Sequence, residues 1–250
     1  MAQNLDYEGG RPFRKASLQI SGWLGMNAPP SSVEESPDFS KQRALMVARQ
    51  LESRGVNDLR VLAAMGEIPR EFFIPQALRD EAYYDGPLSI GHGQTISQPY
   101  TVAMMCEALE LGGSEKVLEI GTGSGYAACV LSKLARQVHT IERIPELARC
   151  ASARIRDLGI MNVQVHVGDG SLGLPEEAPF DAIVVTAGGP ALPAAFNSQL
   201  AAGGRIVMPI GPRHDQIMTR CILRNGALHQ EDLGAFCFVP LIGADAWVED

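Results

Sequence analysis

Residues 116–125 read Lys-Val-Leu-Glu-Ile-Gly-Thr-Gly-Ser-Gly, a short apolar run that ends in three alternating glycines. The apolar run predicts a buried β-strand, and a helical pattern follows from Tyr126. The glycines predict a tight turn at the carboxyl end of that strand, which is where open α/β sheets bind ligands. Glycine suits this turn because a Cβ would keep the backbone away from a ligand. A nucleotide-type cradle in an α/β sheet is therefore expected.

Strand-like and helix-like segments alternate after this loop. Helices are predicted near 100–111, 126–135, 145–158 and 192–200, and further strands at 138–142, 163–167, 180–186 and 205–210. Residues 217–223 and 233–241 read as two strands joined through the turn-prone Asn225-Gly226, with no helix between them to make a parallel crossover. The sequence thus predicts a doubly wound, Rossmann-like α/β sheet that finishes with an antiparallel hairpin.

The chain before residue 100 has a different character. Residues 1–37 are rich in glycine, proline and serine and are predicted to be a flexible tail. Helical patterns cover 38–51, with Gly55 at the expected end, and 59–65, and a segment broken by prolines and glycines follows. The predicted organisation is a tail (1–37) and a single domain (38–250), which is made of an N-terminal helical and loop cap (38–99) and a cofactor-binding α/β core (100–250).

The composition is that of an acidic globular protein, with a formal net charge of −8 over 250 residues. Negative charge disfavours nucleic acid and anionic membranes as partners, and no apolar segment is long enough to span a bilayer. The five cysteines are scattered and form no Cys-x-x-Cys pair, which indicates neither a disulfide framework nor a zinc site. A cytoplasmic protein is expected, and a monomer, because no large apolar face is left over.

Acidic residues at the ends of three predicted strands narrow the choice of ligand. Glu119 stands just before the glycines, where its carboxylate would repel a pyrophosphate but tolerate a sulfonium and an ammonium group. Glu142 ends the next strand, 17 positions beyond Gly125, and can accept hydrogen bonds from both hydroxyls of a ribose. Asp169-Gly170 closes the third strand, where an acid suits the exocyclic amine of an adenine. This set favours S-adenosylmethionine over NAD, although a tight turn without ligand is the alternative for the glycine loop alone.

Several motifs, in one order, resemble the protein-L-isoaspartate O-methyltransferase family. Residues 90–100 read Ile-Gly-His-Gly-Gln-Thr-Ile-Ser-Gln-Pro-Tyr, which is similar to the family's signature. Further similarity lies in 61–88, 119–126, 168–170, 180–187 and 238–241, so that the resemblance covers about residues 40 to 242. There are two departures. Gly188-Gly189 stands where the family is richer in alanine, which leaves acceptor preference open, and the segment before residue 38 has no counterpart in short members.

The resemblance implies a class I S-adenosylmethionine-dependent methyltransferase. Its acceptor would be the free α-carboxyl group of an L-isoaspartyl residue in a damaged protein, and the methyl ester would close to a succinimide that reopens partly to aspartate. Position by position, it implies that Ser97 lies at the methyl-transfer site. The implied cofactor residues are Gln94, Thr95, Ile96, Ser97, Glu119, Gly121, Thr122, Gly123, Ser124, Gly125, Glu142, Asp169 and Gly170, and the implied product is S-adenosylhomocysteine.

Simple chemistry limits the role of Ser97. A carboxylate acceptor with a pKa of about 4 is ionised at neutral pH and needs no general base. Ser97 is therefore predicted to align the acceptor oxygen by a hydrogen bond and not to act as a nucleophile. A helix cap is an alternative that can hold as well, because Ser-Gln-Pro precedes an apolar helix. His92 has no second metal ligand at suitable spacing and is predicted to be structural.

Two other functions stay open at this point. One is a methyltransferase of the same fold with a different acceptor; the acceptor-side motifs at 90–99 and 238–241 argue against it. The other is a catalytically silent scaffold that binds the cofactor. The presence of Ser97 together with the glycine loop, Glu142 and Asp169 argues against this reading.

Overall fold

The computed structural model describes residues 38–249, and the predicted tail, residues 1–37, lies outside the described residues. The α-helices of the described chain are α1 (Phe39–Met46), α2 (Leu59–Glu67), α3 (Pro99–Ala108), α4 (Tyr126–Ser132), α5 (Pro145–Asp157) and α6 (Ala194–Gln199). The β-strands are β1 (Leu88–Gly91), β2 (Gln94–Ile96), β3 (Lys116–Ile120), β4 (Gln137–Glu142), β5 (Val163–Val167), β6 (Phe180–Val185), β7 (Leu200–Ile210), β8 (Gln216–Arg224) and β9 (Ala227–Phe236).

Strands β3 to β9 form one sheet in the order β5-β4-β3-β6-β7-β8-β9. The neighbours from β5 to β7 are parallel, whereas β8 pairs antiparallel with both β7 and β9. The chain winds outward from β3 to β5 on one side and from β6 onward on the other. The boundary between β3 and β6 is therefore the switch point at which such sheets bind ligands. The predicted doubly wound sheet with an antiparallel C-terminal hairpin is confirmed.

The apolar run of β3 is buried on both faces of the sheet. Val117 contributes to one hydrophobic core, and Leu118 and Ile120 contribute to the other. Alternate side chains of a strand point to opposite faces, so a strand covered on both faces needs apolar residues throughout. Burying each such side chain contributes about 1.5–3 kcal/mol, which fixes this strand at the centre of the molecule.

The cap packs against the helix that follows the glycine loop. Asp58 caps α2 by accepting hydrogen bonds from the amides of Arg60 and Val61. In the 3-10 turn Arg70–Phe73, the ring of Phe73 meets that of Tyr126 edge to face at a centroid distance of 5.4 Å. Tyr126 is the first residue of α4, so the cap and the loop are joined through a buried aromatic contact.

The first helical segment ends where the sequence predicts. Helix α1 continues as a π-helical turn over Val47–Leu51 and a 3-10 turn over Glu52–Arg54. Gly55 follows with a φ of +94°, the left-handed conformation that terminates helices.

Several boundaries differ from the predictions, among them the start of β7, at Leu200 and not at 205, and the end of β9, at Phe236 and not at 241. The segment predicted to be irregular contains the hairpin β1–β2, whose turn includes His92 at a φ of +53°. The last strand, β9, begins at Ala227 and not at 233, because Asn225 and Gly226 both adopt positive φ and form a two-residue turn. β9 is an exposed edge strand, so its polar side chains conceal the strand pattern. Across residues 38–249, no helix has both the length and the apolar character needed to cross a membrane.

Candidate functional site

Two cavities open at the carboxyl edge of the sheet beside the switch point. The first has a volume of about 580 Å³ and the second of about 1820 Å³, with space open to solvent included. Residues that line both are Thr95, Thr186, Val239 and Pro240. The two cavities therefore adjoin each other along these four residues.

The glycine loop forms one side of the first cavity. Gly121 has a φ of +96°, and a Cβ on it would lie 2.5 Å from the Thr186 hydroxyl oxygen. The amides of Gly121 and Thr122 donate to the carbonyl oxygen of Ile141 at 2.9 and 3.3 Å. These bonds tie the loop to the end of β4, and glycine is required because any side chain would be both strained and obstructed.

Glu142 lines the first cavity, as the strand-end argument predicts. Its Oε2 accepts a hydrogen bond from the Gly123 amide at 2.8 Å, and its Oε1 accepts one from the Ile144 amide at 2.9 Å. A carboxylate offers about four acceptor positions, so about two remain. That number matches the two hydroxyl groups of a ribose.

Asp169 lies next to the cavity, but only its neighbour Gly170 lines it. Its Oδ1 accepts hydrogen bonds from the amide and hydroxyl of Ser171, and its Oδ2 accepts one from the Ala244 amide. Partial burial would raise the pKa of Asp169, but these hydrogen bonds and Arg143 outweigh it and lower the pKa. Three of about four acceptor positions are taken, which leaves about one for a ligand amine. The predicted adenine contact of Asp169 stays a prediction.

Glu119 does not line any of the described cavities at this edge. It is fully buried behind the loop, where its Oε2 accepts a hydrogen bond from the Thr140 hydroxyl at 2.5 Å. The Thr140 hydroxyl in turn lies 2.6 Å from the Thr122 hydroxyl. Burial raises the pKa of Glu119 to about 8, opposed by the Thr140 hydrogen bond and reinforced by Glu142. Its position supports the glycine loop from behind and gives no indication of direct contact with a ligand.

The residues of the first cavity fit the nucleoside part of S-adenosylmethionine. Ile120, Ile141 and Leu241 supply apolar walls for a flat base, and Glu142 supplies acceptors for a ribose. A Cβ on Gly170 would lie 2.5 Å from Ile120, so the wall at this point is closely packed backbone. The glycine loop brings no basic side chain to the cavity, unlike a loop that binds pyrophosphate through charge.

Ser97 lies two residues after Thr95, which lines both cavities. It lines the second cavity and a smaller space that is bounded also by Ile96, Thr122 and Ser124. Helix α3 begins at Pro99 with Gln98 as the residue before it, and Ser97 makes no cap hydrogen bond there. Within residues 38–249 its hydroxyl has no hydrogen-bond partner, so the helix-cap alternative is not observed. The hydroxyl is free to meet an acceptor.

The residue after Ser97 is held by a polar network. The Gln98 amide donates to Asp85 at 2.7 Å, and Asp85 forms an ion pair with Arg54 at 3.2 Å. The Arg54 guanidinium stacks over the ring of Tyr100 at 3.9 Å from the ring centroid. These contacts fix the backbone on which Ser97 sits.

The remaining predicted residues divide between the spaces. Gln94 and Thr95 line the first cavity, together with Gly121 and Gly123. Gly125 precedes α4 with a φ of +90° and lines none of the described cavities. Sequence reasoning did not select Thr186, although it stands directly after β6, at the edge of the sheet where Glu142 ends β4. In the part of the chain that the structure describes, no three His, Cys, Asp or Glu side chains converge on a metal position.

Comparison with known proteins places this geometry among methyltransferases. The family model Protein-L-isoaspartate(D-aspartate) O-methyltransferase (PCMT) matches residues 40–246. The chain is 55% identical over 227 residues to protein-L-isoaspartate O-methyltransferase 1 of Rhodopseudomonas palustris, covering 89% of this chain and 91% of that protein. It is 52% identical over 216 residues to protein-L-isoaspartate O-methyltransferase 2 of Marinobacter nauticus, covering 86% and 99%.

Solved structures are similar over the same region. A protein-L-isoaspartate O-methyltransferase superposes with a TM-score of 0.73 at 31% identity, covering 82% of this chain and 67% of that chain. A Plasmodium falciparum beta-aspartate methyltransferase (PCMT), solved in complex with S-adenosyl-L-homocysteine, superposes with a TM-score of 0.69 at 26% identity, covering 83% and 99%.

Proposed function

Because this chain belongs to the protein-L-isoaspartate(D-aspartate) O-methyltransferase family, we propose that its two joined cavities carry out that family's reaction. The enzyme transfers a methyl group from S-adenosylmethionine to the free α-carboxylate of L-isoaspartyl residues in proteins and peptides. The ester then closes to a succinimide, and repair follows from the partial reopening of that ring to aspartate.

One observation carries this proposal. The cavity that fits a nucleoside and the larger cavity beside Ser97 share Thr95, Thr186, Val239 and Pro240 as common walls. The larger cavity is open to solvent, as a site for a residue within a polypeptide must be. Methyl transfer requires the methyl carbon and the acceptor oxygen to approach in line, and two separate but adjoining sites satisfy that requirement.

When bound, the cofactor would supply an electrophilic methyl group on its sulfonium, with the neutral thioether of S-adenosylhomocysteine as the leaving group. The protein must therefore hold and orient, and it needs no general base because the acceptor is ionised at neutral pH. We assign Glu142 to the ribose hydroxyls, Asp169 to the adenine amine, and the walls Ile120 and Ile141 to the adenine ring.

On the acceptor side, we assign Ser97 the role of orienting the carboxylate. Its hydroxyl has no other partner among the described residues, and the ties of Gln98 to Asp85 limit its movement. A hydrogen bond from this hydroxyl to one carboxylate oxygen leaves the other oxygen directed at the methyl group. Gln94 and Thr95 would line the cofactor site, and Thr95 would also border the acceptor site. Ile96 would line the smaller space beside Ser97, and Glu119 would hold the loop from behind.

The setting of the reaction is also part of the proposal. A net charge of −8 disfavours nucleic acid and anionic membranes, so damaged proteins and peptides are the proposed partners. A cytoplasmic location agrees with the five free cysteines. A monomer is proposed on the separate ground that the sequence leaves no large apolar face over.

The direct test uses two peptides of identical sequence, one with isoaspartate and one with aspartate. Purified protein is incubated with methyl-labelled S-adenosylmethionine, and base-labile methyl ester is counted. Label confined to the isoaspartyl peptide is expected. No label on either peptide, in a protein that binds S-adenosylhomocysteine, would instead indicate another acceptor.

A further inference from the structure

A buried glutamine connects two walls of the acceptor cavity, and the inference that follows rests on the proposed function. Gln216 is the first residue of β8 and is fully buried. Its Oε1 accepts a hydrogen bond from the Phe238 amide at 2.8 Å, and its Nε2 donates to the carbonyl oxygen of Pro212 at 2.6 Å. Gln216 itself does not line the cavity.

Both segments that Gln216 joins carry residues of the acceptor cavity. The segment 236–240 lines it continuously, and Arg213 and His214, just after Pro212, line it from the other segment. Regular pairing of β8 with β9 ends at Gln216 and Phe236. Beyond this point, the two hydrogen bonds of the Gln216 side chain hold the segment 236–240 and the turn at 212–214 together in place of strand pairing. They set the separation of these two walls of the cavity.

Gly188 holds the same segment from the opposite side. Its amide donates to the Val239 carbonyl oxygen at 2.8 Å, and its own carbonyl oxygen accepts from the Leu241 amide at 2.8 Å. A Cβ on Gly188 would lie 2.9 Å from Cδ and 3.1 Å from Cγ of Gln216. Because Gln216 is buried and cannot move aside, an alanine at position 188 would displace it. This contact explains why the chain has glycine at 188, where the family is richer in alanine.

We propose that Gln216 is a positioning residue for the isoaspartyl acceptor and that Gly188 and Gln216 act as a coupled pair. The glutamine fixes the segment 236–240 against the 212–214 turn, and this spacing determines how well the acceptor peptide is held. Gln216 is bonded to Phe238 and Pro212, and neither of these lines the cofactor cavity, whereas Gly188 is bonded to Val239 and Leu241, which do. A change at Gln216 should therefore raise the KM for the peptide and leave cofactor affinity nearly unchanged.

The first test compares Gln216→Met with a matched control, Gln199→Met. Gln199 is also a buried glutamine, which accepts from the Leu174 amide at 2.7 Å and donates to the Leu172 carbonyl oxygen at 2.9 Å, away from the cavities. Both substitutions leave buried backbone groups unpaired and should lower Tm. Only Gln216→Met is expected to raise the KM for an isoaspartyl peptide, by about 10-fold, with kcat and the Kd of S-adenosylhomocysteine within about 2-fold of wild type.

A KM for the peptide that is unchanged, or that rises equally in Gln199→Met, would overturn the proposal. A parallel loss of S-adenosylhomocysteine affinity would do so as well, because it would mean general distortion.

The second test is a double-mutant cycle, which measures the coupling between Gly188 and the Gln216 side chain. Gly188→Ala should raise the KM for the peptide when Gln216 is present. In a Gln216→Ala background, where the glutamine side chain no longer occupies the space beside residue 188, the same substitution should change the KM by no more than about 2-fold. Equal effects of Gly188→Ala in both backgrounds would contradict the coupling.

The two proposals fail in different ways. A wild-type protein that binds S-adenosylhomocysteine but methylates no isoaspartyl peptide would remove the proposed function. A wild-type protein that methylates the peptide, with variants whose KM does not move, would remove only the role of Gln216 and Gly188.

Discussion

Glu119 is a carboxyl group that burial keeps protonated. Its pKa is raised from 4.5 to about 8 by burial, with the nearby Glu142 adding to the shift. Below pH 4.5 the group is protonated in both the folded and the unfolded chain. Between pH 4.5 and 8 only the folded state retains the proton, so the contribution of this group to stability declines as pH rises and is lost above pH 8.

Replacing Glu119 with glutamine should remove this pH dependence. The amide oxygen can still accept the Thr140 hydrogen bond, and no charge must be buried at high pH. We expect Glu119→Gln to lose less stability than wild type between pH 5 and 8.5, as measured by thermal unfolding across that range. The exposed Glu146→Gln variant should keep the wild-type slope. Parallel curves for wild type and Glu119→Gln would contradict the assignment.

Substitution of Ser97 tests the orienting role. Ser97→Ala should lower kcat/KM for an isoaspartyl peptide by about 10- to 100-fold, because an unaligned acceptor oxygen meets the methyl group less often. The Kd of S-adenosylhomocysteine, measured by calorimetry, should stay within about 2-fold of wild type. Ser89→Ala, at an exposed position of β1 in the hairpin that precedes Ser97, is the control. Unchanged turnover in Ser97→Ala would remove Ser97 from the mechanism.

At the scale of elements, the loop between β3 and α4 depends on backbone conformation. Gly121→Ala would combine a positive φ with a Cβ 2.5 Å from the Thr186 hydroxyl oxygen. We expect it to weaken S-adenosylhomocysteine binding by about 10-fold or more, because the loop must shift.

Gly159→Ala is the control for a positive-φ substitution outside the site, since Gly159 follows α5 with a positive φ and no atom lies within 4 Å of the added Cβ. This control should cost about 1 kcal/mol of stability and leave the affinity unchanged. Equal affinity losses in both variants would contradict a local effect at Gly121.

The elements with the clearest sequence patterns were also the most predictable. β3 and β6 are mostly apolar because both faces are covered, with polar exceptions such as Glu119 and Asp181. The helices between them have apolar stripes, so the doubly wound sheet could be predicted. The start of β9 could not, because an edge strand open to water carries polar residues such as His229 and Asp232. The hairpin β1–β2 was missed because three to four residues give too short a pattern to read.

The candidate site was predictable in part for a related reason. The sequence shows which residues end a strand, and on this basis Glu142 could be predicted to lie beside the cavity. The direction of a side chain depends on register and on neighbours that lie far away in the chain. Glu119 turns toward Thr140, and Asp169 is engaged by Ala244, which is 75 residues later. Gln216 offered only one signal, a polar residue at the start of an apolar strand.

At the scale of the whole molecule, ligand binding and folding should be linked. S-adenosylhomocysteine at 100 times its Kd should stabilise the protein by about 2.7 kcal/mol, which is a rise of about 5–10 °C in Tm for a domain of this size. Glu142→Ala should abolish most of this rise in Tm at the same ligand concentration, because the ribose hydroxyls would lose their hydrogen-bond acceptors. A full shift in Glu142→Ala, in a differential scanning experiment, would refute the ribose assignment.

The claim on which the account depends is that the acceptor is the α-carboxylate of an isoaspartyl residue. Its most direct measurement follows an isoaspartyl peptide and its aspartyl twin by mass spectrometry and chromatography during incubation with the enzyme and S-adenosylmethionine. We expect that the isoaspartyl peptide alone gains one methyl group, then loses methanol to form a succinimide, and finally yields some aspartyl peptide. Methylation of both peptides at similar rates, or a methyl group that stays on the peptide through mild base, would contradict it.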